Sequence, residues 1–362
     1  MNKTASIVIG LVVVLVIAGV GAYVVYGHGS SNQSPSSKVT LTETGSTLLY
    51  PVFNIWAGNY SANKITTAGT GSGAGISGAI AGTVVIGASD AFMTNTQVQQ
   101  NPGMLNIPIL ISSQYVAYNI PGLNSNTLHF NGTVLAGIYN GSINNWNNAQ
   151  IAALNPGVTF PSHVIVPVHR SDGSGDTNMF TEFLSKSDSW WNNNVGFGTN
   201  VNWPSVPAAV TGQGNSGIIS QMTSTPYSIG YIATTYEAQV HSAGFGIAAL
   251  QNQAGQFVTM SQSTVMAAAN HYLSQIPADG RLAIQFAPGN NSYPIVDLEY
   301  LIVKQVQPNA NTAAALVAFL EWAVNSTSGG SQSKFISPLN LAPLPQAVVS
   351  QIVTPLINKI SG

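Results

Sequence analysis

The sequence contains no cysteine. Disulfides and thiolate metal sites are therefore excluded, and so is the cysteine on which lipoproteins are lipidated. Charge is almost as scarce. Asp, Glu, Lys and Arg make up 6% of 362 residues, against ~25% in an average soluble protein. Only nine of these are Lys or Arg, too few for the basic patch of a nucleic-acid binder. Solubility then falls to Ser, Thr, Asn and Gln. A surface so poor in charge suits an acidic exterior, where carboxylates would be partly protonated in any case. The six histidines show no metal-ligand spacing, so no metal is expected. No GxxxxGK[ST] phosphate loop and no GxSxG elbow is present. No internal repeat stands out.

What is there begins with Met1-Asn2-Lys3 and an apolar run from Ala5 to Tyr26. At ~1.5 Å per residue such a run crosses a ~30 Å hydrocarbon core, and Lys3 favours an inside N-terminus. A signal peptide has a shorter apolar region and a small-residue cleavage site. Residues 1–27 are accordingly expected to be an uncleaved anchor, with cleavage as the alternative. Residues 28–38 are Gly/Ser/Asn-rich without apolar periodicity, the composition of a flexible tether. Everything beyond is expected outside the membrane. Several N-x-[ST] triplets follow, as at Asn59, Asn131 and Asn325.

With 45% hydrophobic residues, the exported part has enough apolar material for a sizeable core. Strand patterns occur at Val39–Leu41, Val84–Ile86, Gln114–Tyr118, Val164–Pro167, Gly230–Ile232 and Tyr300–Val303. Helical patterns occur at Tyr50–Tyr60, Ile76–Gly82, Gln150–Leu154, Met179–Lys186, Ser263–Leu273 and Asn311–Val324. Helices between strands predict an α/β fold with a largely parallel, doubly wound sheet.

Three junctions between extended segments and helical patterns stand out: Gly45-Ser46-Thr47-Leu48, Gly69-Thr70-Gly71-Ser72-Gly73-Ala74-Gly75 and Arg170-Ser171-Asp172-Gly173-Ser174-Gly175-Asp176-Thr177. Glycines such as Gly71 and Gly73 let the backbone approach a ligand closely. The first N–H groups of each following helix have no intrahelical partner, which makes an anion site.

Gly73-Ala74-Gly75-Ile76-Ser77-Gly78 matches GxGxxG, but the acidic residue a dinucleotide fold wants ~20 residues later is missing. His169 has no partner fixed by sequence and is taken as an ordinary strand-end residue. The chain has two arginines, Arg170 and Arg281. A guanidinium presents a fork that fits a tetrahedral oxyanion, and Asp172 is placed to hold it. Both an anion site and a turn closed by a surface ion pair fit this segment alone. Asp90 ends Ile86-Gly87-Ala88-Ser89-Asp90. An ionised carboxylate only accepts hydrogen bonds. It suits an anion that carries a proton, such as phosphate, and repels sulfate; a turn or helix-cap Asp is the plainer alternative.

Together these segments resemble the PstS-type phosphate-binding proteins of phosphate ABC transporters. The likeness runs almost the full exported length. It rests on Gly45-Ser46-Thr47, the Gly69–Gly75 loop, Gly87-Ala88-Ser89-Asp90, Asn119-Ile120-Pro121-Gly122-Leu123, Gly137-Ile138-Tyr139-Asn140-Gly141, the Arg170–Thr177 segment, Gly230-Tyr231-Ile232 and Tyr293-Pro294-Ile295. The resemblance implies a two-lobed, hinged periplasmic-binding-protein fold with phosphate between the lobes. Lobe I would be 39–118 plus 297–362 and lobe II 119–296, with crossings near Asn119 and Ile295–Asp297. By resemblance Thr47, Leu48 and Ser72 donate from the first lobe, and Ser174 and Gly175 from the second. Asp90 accepts the phosphate proton, Arg170 supplies positive charge and Asp172 orients it.

Two positions depart from the family pattern. Leu48 stands where Phe is usual, with little consequence for a backbone donor. Asp176 stands where many members have Thr, although some also carry Gly-Asp-Thr. Two carboxylates against one arginine would favour a phosphate with more protons. The resemblance also implies a monomeric binding protein without cofactor or catalysis, handing its ligand to ABC permease subunits. Other oxyanions (sulfate, molybdate, tungstate) and a phosphate-ester hydrolase are the alternatives; the hydrolase lacks a visible nucleophile or metal cluster.

Overall fold

The computed structural model describes residues 38–362. The anchor expected over residues 1–27 lies outside the described residues, as does the tether up to residue 37. Among the described residues no helix is long and apolar enough to cross a membrane.

Eight strands form the main path of a ten-stranded sheet: β1 (Thr40–Gly45), β2 (Lys64–Thr66), β3 (Ile86–Ser89), β4 (Met104–Asn119), β5 (Val166–Arg170), β6 (Val210–Gly212), β7 (Ser228–Ala233) and β8 (Val296–Lys304), with two short strands, Gly246–Ile247 and Ala342–Pro343, added beside β4. Their order is β2-β1-β3-β8-β4-β7-β5-β6. Five helices matter for the site: α1 (Tyr50–Asn59), α2 (Ser72–Ala81), α3 (Gly175–Ser187), α4 (Gly214–Ser224) and α5 (Ala310–Val324).

The sheet is mixed. β1 pairs in parallel with β2 and β3, and β5 pairs in parallel with β6 and β7. At the centre, β8 runs antiparallel to β3 and β4, and β4 antiparallel to β7. The parallel outer groups match the expected βαβ alternation. The antiparallel centre departs from a largely parallel sheet, because β4 and β8 carry the chain between the two groups. β4 is a single strand of 16 residues. Up to Ser113 it pairs with β8, and from Gln114 it pairs with β7. Strand β8 begins at Val296, opposite Ser113. The partners therefore change between Ser113 and Gln114, five residues before Asn119, where β4 ends.

Both central strands are buried along nearly their whole length, as strands covered on both faces are. On the β1–β3 side, α1 and α5 meet through Phe53, Trp56, Tyr60, Phe319 and Trp322, with ring centroids 5.0–6.2 Å apart. On the β5–β7 side, Phe180 of α3 stacks on Tyr231 of β7 at 4.7 Å and meets Tyr139 edge-on at 4.8 Å. Edge-to-face and offset contacts of this kind add to the burial they accompany. Each group of elements thus has its own aromatic core, and the loops between them meet where β4 changes partner.

Candidate functional site

The three glycine-rich junctions converge in the structure. Ser46-Thr47-Leu48-Leu49 forms the turn from β1 into α1; the Ser46 N–H donates to Ala88 at 2.9 Å. The Gly69–Gly75 loop leads into α2. Its Gly71 has φ +96°, a conformation glycine adopts without strain, and a Cβ there would collide with Asp172 and Gly173 from the other side of the cleft. The Gly73 N–H donates to the Gly173 carbonyl at 2.9 Å, so the two sides touch.

Arg170 ends β5 and is 4% exposed. Its backbone N–H donates to Tyr231 Oη at 3.0 Å, and that hydroxyl bonds Thr177 Oγ1 at 2.7 Å. This ties the strand end to the first turn of α3. Asp172 grips the guanidinium in a fork, accepting from Nε at 2.7 Å and from Nη2. Nη1 donates to Asp176 at 2.6 Å. One N–H on each terminal nitrogen is left over.

Ser174 caps α3, its Oγ accepting from the Thr177 N–H at 3.2 Å. Gly175 follows against Asp90, and any side chain there would occupy the space of the Asp90 carboxyl group. Asp90 is 1% exposed. Its Oδ1 accepts from Ser46 Oγ, and its backbone N–H donates to Ser72 Oγ at 3.1 Å. No hydrogen bond within the described residues uses the N–H of Thr47, Leu48, Ser72, Gly175 or Asp176. The hydroxyls of Thr47, Ser72 and Ser174 act as acceptors among the described residues, leaving their own protons to donate. Thr47, Leu48, Ser72, Asp90, Arg170, Ser174, Gly175 and Asp176 are thus brought to one place.

Asp176 differs from the expectation in how it is used. Its carboxylate accepts from Arg170, from Asn215 Nδ2 at 2.7 Å and from Gln114 Nε2 at 3.1 Å. Both carboxylate oxygens are engaged by protein donors, and the backbone N–H of Asp176 in the first turn of α3 has no partner among the described residues. His169, taken as an ordinary strand-end residue, stacks on Trp203 at 4.4 Å.

Four residues of this region are not among those expected to bind the ligand. Asn215, in the first turn of α4, donates to both Thr47 Oγ1 (3.0 Å) and Asp176, and its Oδ1 accepts from the Ala233 N–H at 2.8 Å. Ser46 and Gln114 hold Asp90 and Asp176 as described. Glu299 of β8 is fully buried beside Asp90. Asn215 has a visible signal: Gly212-Gln213-Gly214-Asn215 is a fourth glycine-rich junction between strand and helix. Glu299 has one too, since Asp297 and Glu299 interrupt an apolar strand on one face.

The electrostatics are unusual for so few charges. Burial, with Asp176 nearby, pushes Asp90 up to about 7, although Ser46, Glu299 and Arg170 pull the other way. Burial also pushes Asp172 up, but the Arg170 hydrogen bond and charge bring it below its ordinary value. A cavity of about 260 Å³ opens between Thr47, Tyr50, Asp172, Asn215 and Tyr236, at the edge of the converging loops. Among the described residues no group of His, Asp and Glu is placed to hold a metal ion. The arrangement is a buried set of neutral donors with one guanidinium and one acceptor carboxyl, which suits a small tetrahedral oxyanion.

Fold and site together define a two-lobed α/β binding protein of the periplasmic type. A family model described as a PBP superfamily domain matches residues 30–327. The chain is 34% identical over 316 residues to the phosphate-binding protein PstS of Haemophilus influenzae, covering 86% of this chain and 91% of that one. It is 30% identical to the PstS of Methanocaldococcus jannaschii, over 93% and 91% of the two chains. A crystal structure of a phosphate-binding protein from Stenotrophomonas maltophilia superposes with a TM-score of 0.68 at 17% identity, covering 87% of this chain and 93% of that one. The chain belongs to the PstS family.

Proposed function

We propose that this protein captures inorganic phosphate outside the cytoplasmic membrane and delivers it to an ABC importer, binding without catalysis. Membership of the PstS family supports the role. The observation that carries the ligand is Asp90: a buried carboxyl acceptor set among N–H and O–H donors. An acceptor inside an otherwise donating site favours an oxyanion that retains a proton and disfavours sulfate, molybdate and tungstate.

In this reading the free N–H groups of Thr47, Leu48, Ser72, Gly175 and Asp176 and the hydroxyls of Thr47, Ser72 and Ser174 hold the phosphate oxygens. Arg170 adds charge-assisted bonds, and Asp172 and Asp176 fix its plane. Lobe I comprises residues 39–113 and 296–362 and lobe II 114–295, hinged where β4 changes partner. Asn215, Tyr236 and Thr235 latch the lobes through Thr47 and Leu48. Closure presents the loaded form to the permease. The protein acts as a monomer, held at the membrane by its N-terminal segment.

Calorimetry tests this directly. Phosphate is expected to bind with one site per chain and without turnover of phosphate esters, and sulfate in excess is expected not to compete near pH 8. Sulfate competing on equal terms at that pH would sink the phosphate assignment. Because most donors are neutral, affinity should change little between low and moderate salt. Gly175→Ala is expected to weaken phosphate binding by about a hundredfold or more, because its methyl group displaces Asp90, while the thermal unfolding transition stays cooperative. Wild-type affinity in that variant would show that Asp90 does not need its present position.

A further inference from the structure

The register Tyr300↔Ser89 between β8 and β3 puts Glu299 opposite Asp90, and the two carboxyl groups are within hydrogen-bonding reach. Glu299 is 0% exposed. Its Oε1 accepts from Ser112 Oγ of β4 at 2.5 Å. Its Oε2 is buried and receives no hydrogen bond from any donor among the described residues. A bare carboxylate oxygen in that position, beside a second carboxyl group, would be strongly disfavoured. It is accounted for if Oε2 carries a proton and is itself the donor.

We propose that Glu299 is held protonated and donates to Asp90, fixing Asp90 as the acceptor that reads the proton on the ligand. The inference rests on Asp90 being the phosphate acceptor. It makes Glu299 a positioning residue that touches no ligand atom.

The charged surroundings agree. The charged groups facing this pair are Asp297 on β8, Asp176 on α3 and Arg170 on β5, and Glu182 of α3 faces Asp297. Glu182 pairs with Lys186 at 2.9 Å, and the guanidinium of Arg170 is held by Asp172 and Asp176. Among the described residues no Lys or Arg forms an ion pair with Asp90, Asp297 or Glu299. Neighbouring buried carboxyls without a cation cannot all ionise. Glu299 has one hydroxyl donor, Ser112. Asp90 has Ser46 and lies nearer Arg170. The proton therefore settles on Glu299, and burial followed by the charge of Asp90 raises Glu299 well above its ordinary range.

The donated bond stabilises ionised Asp90 and so lowers its pKa; removing it lets that pKa rise. Once Asp90 is protonated it becomes a donor and stops excluding sulfate. The readout is the pH at which sulfate begins to compete with phosphate, measured by calorimetry on the full chain. Glu299→Leu should move that pH upward by about one unit or more, and Glu299→Gln, which keeps a neutral N–H donor, should restore the wild-type value. Infrared difference spectra supply a second measurement on the ligand-free protein. At pH 8 the wild type should show a protonated carboxyl C=O stretch that Glu299→Gln lacks. Absence of that band, a pH midpoint unmoved in Glu299→Leu, or one displaced in Glu299→Gln would each overturn the proposal. Failure of wild-type protein to bind phosphate at all would instead overturn the functional reading, and the infrared result would stand apart from it.

Discussion

Replacing Arg170 by alanine is expected to weaken phosphate binding by about thirtyfold to a few thousandfold and to destabilise the ligand-free protein as well. The two losses have different causes. The guanidinium is the one formal positive charge among the converging loops, and truncating a buried charge partner at an interface costs about 2–5 kcal/mol, where about 1.4 kcal/mol is a tenfold change in Kd. The same truncation leaves Asp172 and Asp176 without their cation. Asp176 is 1% exposed, and stripping one partner from a buried pair typically costs about 3–5 kcal/mol. The neutral donors Asn215 and Gln114 would remain on Asp176, so the lower end of that range is expected.

The pH dependence separates these effects. Burial already holds Asp176 above its ordinary value with Arg170 pulling the other way, so removing the guanidinium raises its folded-state pKa further above the unfolded one. A group raised in this way is most stabilising below its unfolded pKa and loses that contribution as pH rises through the folded one. The deficit of Arg170→Ala in thermal unfolding should therefore shrink as pH falls toward 4, while phosphate binding does not return. Arg170→Lys restores a charge but not the fork that Asp172 grips, and should recover stability more than affinity. An Arg170→Ala protein that binds phosphate within tenfold of wild type would remove the guanidinium from the site.

The site was legible in the sequence to the extent that its groups lie in contiguous junctions. Gly45–Thr47, Gly69–Gly75 and Arg170–Thr177 each combine glycine with a hydroxyl and a helix start, and one short window holds the whole pattern. Asp90 and Arg170 stand out because charge is so rare in this chain. The partners of those residues were harder to see. Asn215 sits in a junction of the same type, but its side chain is neither acid nor base, so only the flanking glycines mark it. Gln114 and Glu299 matter only because of where strands register, and Ser46, although it lies in the first junction, because Asp90 comes to rest beside it. Glu299 meets Asp90 through the pairing of β8 with β3, over two hundred residues apart in sequence, and periodicity is silent about which strands pair. For the same reason the pattern of helices and strands indicated an α/β fold but not the antiparallel centre. The length of β4 was also hidden. Only Gln114–Tyr118 reads as a strand, because Pro108 and the pair Ser112-Ser113 interrupt the apolar run before it. Those serines are where β4 changes partner, and Ser112 is the hydroxyl that bonds Glu299.

The stability of the ligand-free protein is expected to decrease as pH rises from about 5 to about 8. Glu43 of β1 is 4% exposed; burial pushes it from 4.5 up to about 8, against hydrogen bonds from Thr67 and the Ala68 backbone. Asp90 rises from 3.8 to about 7, and burial raises Asp297 and Glu299 well above their ordinary values. All four bind protons more tightly folded than unfolded. Their contribution is complete below the unfolded values and disappears as pH climbs through the folded ones. For Glu43 alone the difference amounts to about 5 kcal/mol at its upper bound. Asp172 and Glu237 act in the opposite sense: both are lowered by their partners, so their contribution is lost as pH falls below the ordinary carboxylate range. The maximum should therefore lie on the acid side of neutrality. Denaturant unfolding between pH 4 and 9 would reveal it, and a maximum well above neutral pH would refute this account. Glu43→Gln isolates one contributor. It should match wild type within about 1 kcal/mol near pH 5, where Glu43 is protonated in the native state, and exceed it by on the order of 3 kcal/mol at pH 9. A chain with so little surface charge thus keeps much of its titratable charge inside, in groups that fold most favourably with their protons on.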